Sequence, residues 1–96
     1  MREIRQQVHE GGGMFFIRIG DKILAKLEYS LKSEHLMTID HTEVDESLKG
    51  EGIGHLLVEK AISFARSNKM KVIPYCPFAK AIIDKTTEFQ DVILKS

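Results

Sequence analysis

The sequence predicts an α+β domain with a mixed, mostly antiparallel sheet, one β-α-β crossover and two helices. Three observations support this class. The first half alternates runs of strand-forming residues with glycine-rich or polar turns. At Ile53 the hydrophobic period changes from two residues to that of a helix. Pro77 follows a short strand-like run and is suited to the first turn of a second helix.

The first three predicted strands are separated by glycines. Residues 3–8 are a weak strand candidate, and the glycines at 11–13 predict a turn because glycine weakens the interior of an element. Residues 14–19 predict the second strand, which ends at a hairpin turn formed by Gly20-Asp21. The third strand alternates between apolar and polar residues, with one face made of Ile23, Ala25, Leu27, Tyr29 and Leu31.

Residues 36–44 predict the fourth strand. Strict alternation places Met37, Ile39 and His41 on one face. The opposite face then carries Thr38, Asp40 and Thr42. His41 is therefore expected to share a face with apolar core residues.

The second half begins with a helix from Ile53 to near Asn68, a residue that tolerates a left-handed conformation at a helix end. Residues 71–75 predict a strand that lies at an edge or leaves its neighbour at Pro74, which cannot donate a ladder hydrogen bond.

A second helix is predicted over residues 78–85, with Cys76 at or beside its N-cap. A last strand is predicted over residues 91–94. The predicted order is therefore β-β-β-β-α-β-α-β.

Length and composition restrict the class of protein. A chain of 96 residues is expected to form a single domain over residues 1–96. Lys and Arg balance Asp and Glu at 14 each, so no nucleic-acid partner is predicted. We expect a cytosolic or nuclear protein, with the cytoplasm favoured and without membrane contact, because neither a signal peptide nor a spanning run is seen. A monomer is the expected state. One cysteine, Cys76, excludes an internal disulfide, and no metal site is predicted.

The glycine loop Lys49-Gly50-Glu51-Gly52-Ile53-Gly54 lies between a predicted strand and a predicted helix. Free N–H groups and the helix dipole make such a junction an anion site. The alternative is a permissive turn that only starts the helix. A Walker phosphate loop is excluded because His55 and Leu56 follow Gly54, where that motif needs Lys and a hydroxyl residue. A dinucleotide fingerprint is disfavoured because hairpin-linked strands precede the loop.

The loop resembles the pyrophosphate loop of the GCN5-related N-acetyltransferases. That pattern is a basic residue or Gln, any two residues, Gly, any residue, and Gly or Ala, matched here by Lys49, Gly52 and Gly54. The segments 39–44 and 76–80 resemble those of the minimal single-domain branch of that superfamily. The resemblance covers about residues 14 to 94.

The resemblance implies acetyl-CoA (coenzyme A) as cofactor, with its pantetheine arm between two diverging strands. The implied cofactor-binding residues are Thr42, Glu43, Val44, Lys49, Gly50, Glu51, Gly52, Ile53, Gly54 and His55. Two positions depart from the usual pattern: Lys49 replaces Arg or Gln, and Glu51 puts a negative charge inside an anion loop.

The resemblance also points to Cys76 and His41 as catalytic residues. Larger relatives commonly use a tyrosine to protonate the departing thiolate, but residues 77–96 contain none. Cys76 at a helix N-terminus could relay a proton or accept the acetyl group. His41 could act as a base. The alternatives are an inert buried thiol and a histidine bonded to a carbonyl. If both residues act, they should face one cavity.

The predicted function is N-acetyl transfer from acetyl-CoA to an unidentified amine. Transfer is either direct or through an acetyl-Cys76 intermediate. The resemblance implies an open acceptor side, because this branch lacks a helical region found in longer relatives. An open side suits a protein or peptide amine. Two alternatives stay open: a non-catalytic acyl-CoA-binding module, and an interaction domain without an anion site.

Overall fold

The computed structural model describes residues 3–94. In chain order the elements are β1 Arg5–His9, β2 Gly12–Ile19, β3 Lys22–Ser33, β4 Leu36–Val44, α1 Ile53–Ser67, β5 Lys71–Pro74 and α2 Pro77–Asp84. Two 3₁₀ helices, Glu46–Leu48 and Thr87–Val92, lie before α1 and after α2. Within residues 3–94, neither α helix has the length and apolar character needed to cross a bilayer.

The strands form one sheet in the order β1-β2-β3-β4-β5. The first four are antiparallel neighbours, whereas β5 pairs in parallel with β4. This change of direction follows from connectivity, because α1 carries the chain across the sheet before β5 begins. The predicted α+β class, with a mostly antiparallel sheet, one crossover and two helices, is confirmed.

Gly12 and Gly13 lie inside β2 rather than in a turn, so the predicted turn over all three glycines is wrong. The chain turns at Glu10 and Gly11, where Gly11 has a φ of +85°. A Cβ on Gly12 would overlap the Tyr29 carbonyl oxygen, and one on Gly13 would lie 2.6 Å from the Tyr29 hydroxyl. Glycine is needed here because β3 and its tyrosine pack directly against the β2 backbone.

The hydrophobic core lies between α1 and one face of the sheet. Phe15, Tyr29 and Phe64 meet there, with ring centroids 5.4 to 5.9 Å apart. Ala79 and Ile83 of α2 belong to the same buried cluster, so both helices pack on this side. We call this side of the sheet the core face.

The opposite side of the sheet, the open face, carries Met14, Lys26, Glu28, His41 and Glu43. Register shows that they share one face: Glu28 is paired with both Met14 and His41, and Lys26 with Glu43. The side chains of Lys26 and Glu43 are 31% and 58% exposed, because the described helices pack on the other side. The open face therefore presents charged groups to solvent.

α1 ends at Ser67 with Asn68 as its C-cap, as predicted, but the left-handed residue is not Asn68. The φ of Asn68 is −104°, and the left-handed residue is Lys69 at +58°. The Asn68 side-chain amide donates to the Phe64 carbonyl at 2.8 Å. That bond satisfies a terminal carbonyl without a left-handed asparagine.

The predicted last strand over residues 91–94 is also wrong. Thr87–Val92 forms a 3₁₀ helix, and Ile93 makes an isolated bridge to Val72. The two buried residues of this segment, Phe89 and Val92, are three positions apart in the sequence. A 3₁₀ helix places such residues on one side, whereas a strand would place them on opposite faces.

Candidate active site

A cleft opens where β4 and β5 diverge. Their ladder ends at the pair Ile39 and Pro74. Beyond it, the Tyr75 and Cys76 N–H groups both donate to the Ile39 carbonyl, at 3.0 and 3.1 Å. Two donors converging on one oxygen turn β5 away from β4, and Pro74 has no N–H to extend the ladder. The prediction that the strand parts from its neighbour at Pro74 is confirmed.

The glycine loop forms the floor of this cleft. Gly50 and Gly52 have φ values of +86° and +72°, in the left-handed region where glycine is favoured. Gly52 is the N-cap of α1 and provides no side-chain cap. Since the first N–H groups of a helix lack intrahelical partners, the loop leaves donors and a positive dipole end available to an anion.

A cavity of about 530 Å³ lies over the glycine loop. It is lined by Thr42, Val44, Leu48, Lys49, Gly50, Gly52, Ile53, Gly54, His55 and Phe78. Eight of the ten predicted cofactor-binding residues are among them. The other two, Glu43 and Glu51, do not line the cavity. Glu43 lies on the open face, and Glu51 is exposed to solvent.

Gly54 has a different role from the two left-handed glycines. It is buried in the first turn of α1, and a Cβ there would lie 2.5 Å from two atoms of the Phe78 ring. The absence of a side chain thus lets Phe78 pack across the helix start as a wall of the cavity. Phe78 and Leu48 were not among the predicted cofactor residues, since their place in the wall depends on contacts between distant segments.

Cys76 is the N-cap of α2 and is 6% exposed. Burial, the largest influence, raises the pKa of its thiol, but hydrogen bonds from the Ala79 N–H, the Thr42 hydroxyl, the Phe78 N–H and the Thr42 N–H together lower it by more. The pKa therefore lies below the ordinary cysteine value. This direction agrees with the expectation for a sulfur at a helix N-terminus.

His41 does not face the cleft, so the prediction that it shares a cavity with Cys76 is wrong. The β3–β4 register shifts between the pairs Tyr29–Ile39 and Glu28–His41, which leaves Asp40 as a bulge residue. The bulge reverses the alternation after Ile39, so His41 turns to the open face. Regular alternation cannot predict such a reversal.

On the open face, His41 pairs with Glu43, with 2.6 Å between Nε2 and Oε2. The hydrogen bond from His41, and more weakly the charge of Lys26, lower the pKa of Glu43 against a smaller opposing effect of burial. Both side chains are more than half exposed. This arrangement explains the histidine as part of a surface charge network.

A second cavity, also of about 530 Å³, lies on the open face. Its lining includes Met14, Lys26, Glu28, Glu43 and Asp45. A smaller neighbouring cavity shares Met14 and Glu28 and adds Asp40. These adjoining cavities, which we call the acidic groove, carry four carboxylates and one lysine, although the whole chain has a formal net charge of zero.

Comparison with known proteins identifies the family. The sequence model of the GCN5-related N-acetyl-transferase family matches residues 14–92 of this chain. A GCN5-like protein from Staphylococcus aureus, solved by NMR, is 32% identical with a TM-score of 0.76, covering 100% of this chain and 93% of that one. No curated protein matches the sequence.

Two more distant structures share the fold. A GNAT family acetyltransferase from Elizabethkingia anophelis, solved with acetyl-CoA bound, is 18% identical with a TM-score of 0.57, covering 67% of this chain and 42% of that one. A ribosomal-protein-alanine N-acetyltransferase from Brucella melitensis is 14% identical with a TM-score of 0.63, covering 92% and 65%.

The diverging strands, the glycine loop and the helix start define an acyltransferase of the acetyl-CoA-dependent class. Within that class, the chain belongs to the GCN5-related N-acetyltransferase family. The family uses acetyl-CoA as its acetyl donor, so the predicted cofactor and the predicted acyltransferase activity are both confirmed.

Proposed function

We propose that the protein transfers acetyl from acetyl-CoA to a primary amine of a protein or peptide, with Cys76 as the proton-handling residue. The observation that carries this proposal is that three features lie along one segment of β4, from Ile39, where the ladder ends, to Thr42, which lines the glycine-loop cavity and interacts with the Cys76 sulfur. These are the glycine loop at the start of α1, the end of the β4–β5 ladder and the buried thiol at the start of α2.

The glycine loop would bind the pyrophosphate. N–H groups at the start of α1 are the donors, and Gly50 and Gly52 let phosphate oxygens approach the backbone. Lys49 adds an exposed ammonium at the rim, although it also lies 3.8 Å from the Glu46 carboxylate. Beyond the loop, β4 has no ladder partner on its β5 side after Ile39 among residues 3–94, so its backbone is placed to hold an amide-bearing arm.

Cys76 is suited to moving a proton at Sγ. When bound, acetyl-CoA supplies an activated thioester that a neutral amine can attack. A group that handles protons works best with a pKa near the operating pH, and the pKa of Cys76 is lowered from its ordinary value in that direction. The buried sulfur also keeps bulk water away from that proton.

His41 is left out of this catalytic proposal. Its bond to Glu43 and its place on the open face give it no direct path to the thiol.

The acidic groove supports a cationic acceptor. Its carboxylates complement a lysine side chain or a basic peptide segment, and raise the local concentration of such partners. The groove adjoins the glycine-loop cavity at Val44, which lines both, so a peptide held in the groove can extend a lysine side chain around the end of β4 toward the cleft. A protein or peptide lysine therefore fits this surface better than an enclosed small molecule.

The experiment combines binding and turnover. Acetyl-CoA is titrated by calorimetry, and acetyl transfer is then followed by mass spectrometry on matched peptides that carry one lysine in basic, neutral or acidic surroundings. We expect saturable binding and the highest kcat/KM for the basic peptide. Glu28→Gln should lower that preference by about two- to fivefold, as expected for an exposed charge pair.

A control variant separates charge from folding. Glu59→Gln removes an exposed carboxylate on α1, away from the groove, and should leave peptide preference unchanged. Saturable acetyl-CoA binding without transfer to any peptide would contradict the enzymatic proposal and favour the non-catalytic acyl-CoA-binding module. Equal transfer to all three peptides would contradict the cationic acceptor alone.

A further inference from the structure

The side chain of Thr42 is placed in the cleft by the same bulge that turns His41 away. Thr42 is the register partner of Leu27, a fully buried core residue, so it lies on the core face. Its neighbours His41 and Glu43 lie on the open face. The Thr42 side chain therefore points to the apolar core face, although both of its neighbours along β4 point to the open face.

The Thr42 hydroxyl oxygen is buried and makes no hydrogen bond of full geometry within residues 3–94. Buried hydroxyls almost always have a partner, because losing water without one is costly. A second threonine of β4 shows the usual situation: Thr38 is 1% exposed and donates to Asp40 at 2.7 Å. The unsatisfied hydroxyl oxygen of Thr42 is therefore expected to gain a hydrogen-bond partner when the active site is in use.

The polar group that can satisfy it is the sulfur of Cys76. The Cys76 N–H bonds to the Ile39 carbonyl, which fixes the cysteine beside the segment of β4 that contains Thr42. The hydroxyl is near enough to help lower the pKa of the thiol, even though the contact falls short of a full hydrogen bond. A small approach of the two side chains would complete that bond when the sulfur is a thiolate, since a charged acceptor binds a donor more strongly than a neutral thiol does.

We propose that Thr42 is a positioning residue whose hydroxyl donates to the Cys76 sulfur and holds it toward the cleft. The hydroxyl and the N–H groups of Ala79 and Phe78 then surround the sulfur with neutral donors. Among the residues that the structure describes, the Thr42 hydroxyl is the side-chain donor that lowers the pKa of this thiol, alongside backbone N–H groups. This inference rests on the proposed role of Cys76, but its test does not require acetyl transfer.

The test is a titration of the thiol in the free protein. Cys76 is the only cysteine in the sequence, so thiolate absorbance in the ultraviolet reports on it alone. Thr42→Val keeps the shape and removes the hydroxyl, and Thr42→Ser restores it. We expect the valine variant to raise the thiol pKa and to slow alkylation at neutral pH by about threefold or more, and the serine variant to recover most of the change.

Thr38→Val is the matched control. It removes a buried hydroxyl from the same strand but from the opposite face, so it should destabilise the protein without changing the thiol pKa. An unchanged thiol pKa in Thr42→Val would overturn the proposal. If acetyl-CoA affinity fell in that variant while the thiol was unaffected, the hydroxyl would serve the cofactor instead. Failure of acetyl transfer in every variant would count against the proposed function but leave this titration interpretable.

Discussion

Replacing Gly54 by alanine tests why glycine is required at this position. The structure indicates that a side chain would clash with Phe78, rather than that the backbone needs a conformation only glycine adopts. In an unobstructed helix, alanine is more stable than glycine by about 0.8–1.0 kcal/mol. Here the new methyl would lie 2.5 Å from the Phe78 ring, and overpacking of this kind costs about 1–3 kcal/mol. We therefore expect Gly54→Ala to lower the free energy of unfolding, by up to about 2 kcal/mol net.

A double-mutant cycle with Phe78→Ala isolates that contact. Without the ring, the alanine should show its helix preference and stabilise the protein by about 0.8–1.0 kcal/mol. The coupling between the two sites should thus be about 1–3 kcal/mol. Urea unfolding of the four proteins measures it, and acetyl-CoA titration of the same set reports whether movement of the ring disturbs the cavity.

Gly50→Ala is the control. Gly50 has a φ of +86°, and a Cβ there would have no heavy atom within 4 Å. Gly50→Ala should lower the free energy of unfolding by about 1–2 kcal/mol through backbone strain alone, and this decrease should be the same with or without the Phe78 ring. The packing argument is refuted if Gly54→Ala stabilises equally in both backgrounds.

Three further predictions concern the cleft and the last turn of α1. Gly52→Val should weaken acetyl-CoA binding at least tenfold, about 1.4 kcal/mol, measured by calorimetry in the folded variant. Cys76→Ala and Cys76→Ser should keep the affinity for acetyl-CoA but lower the rate of acetyl transfer. The folded state favours the thiolate, so the unfolding free energy of the wild type should rise relative to that of Cys76→Ser as pH increases. This rise should run from the lowered folded-state pKa to about 8.5. Asp91→Asn removes a carboxylate that accepts two hydrogen bonds from Arg66, which lower its pKa. The variant should melt at a lower temperature near neutral pH, and the difference should shrink as pH falls from about 3.9, the ordinary Asp value, toward the lowered native pKa.

The sequence was most informative where a local rule has one physical outcome. The change to a helical period at Ile53 predicted the start of α1, and Pro77 predicted the start of α2 with Cys76 at its N-cap. Pro74 predicted the end of the β4–β5 ladder because proline has no N–H to donate. In each case the residue type alone restricts the backbone.

The same local rules failed where contacts between distant segments decide the outcome. Gly12 and Gly13 look like a turn in sequence, but they lie in a strand because Tyr29 packs against them. Residues 91–94 have strand-forming composition, yet the segment from Thr87 is a 3₁₀ helix that buries Phe89.

The residues of the candidate site also fall into two groups, those that the sequence predicted and those that only the tertiary structure placed. The sequence by itself determined the glycine loop, the helix start behind it and the cysteine at the second helix, since each depends on residues adjacent in the chain. Only the tertiary structure decided which side chains face the cleft. A bulge at Asp40, visible only in the register of β4 against β3, turns His41 to the open face and Thr42 toward Cys76. Because the side-chain period of a strand is two, one inserted residue exchanges the two faces, and alternation read along a single strand cannot reveal it.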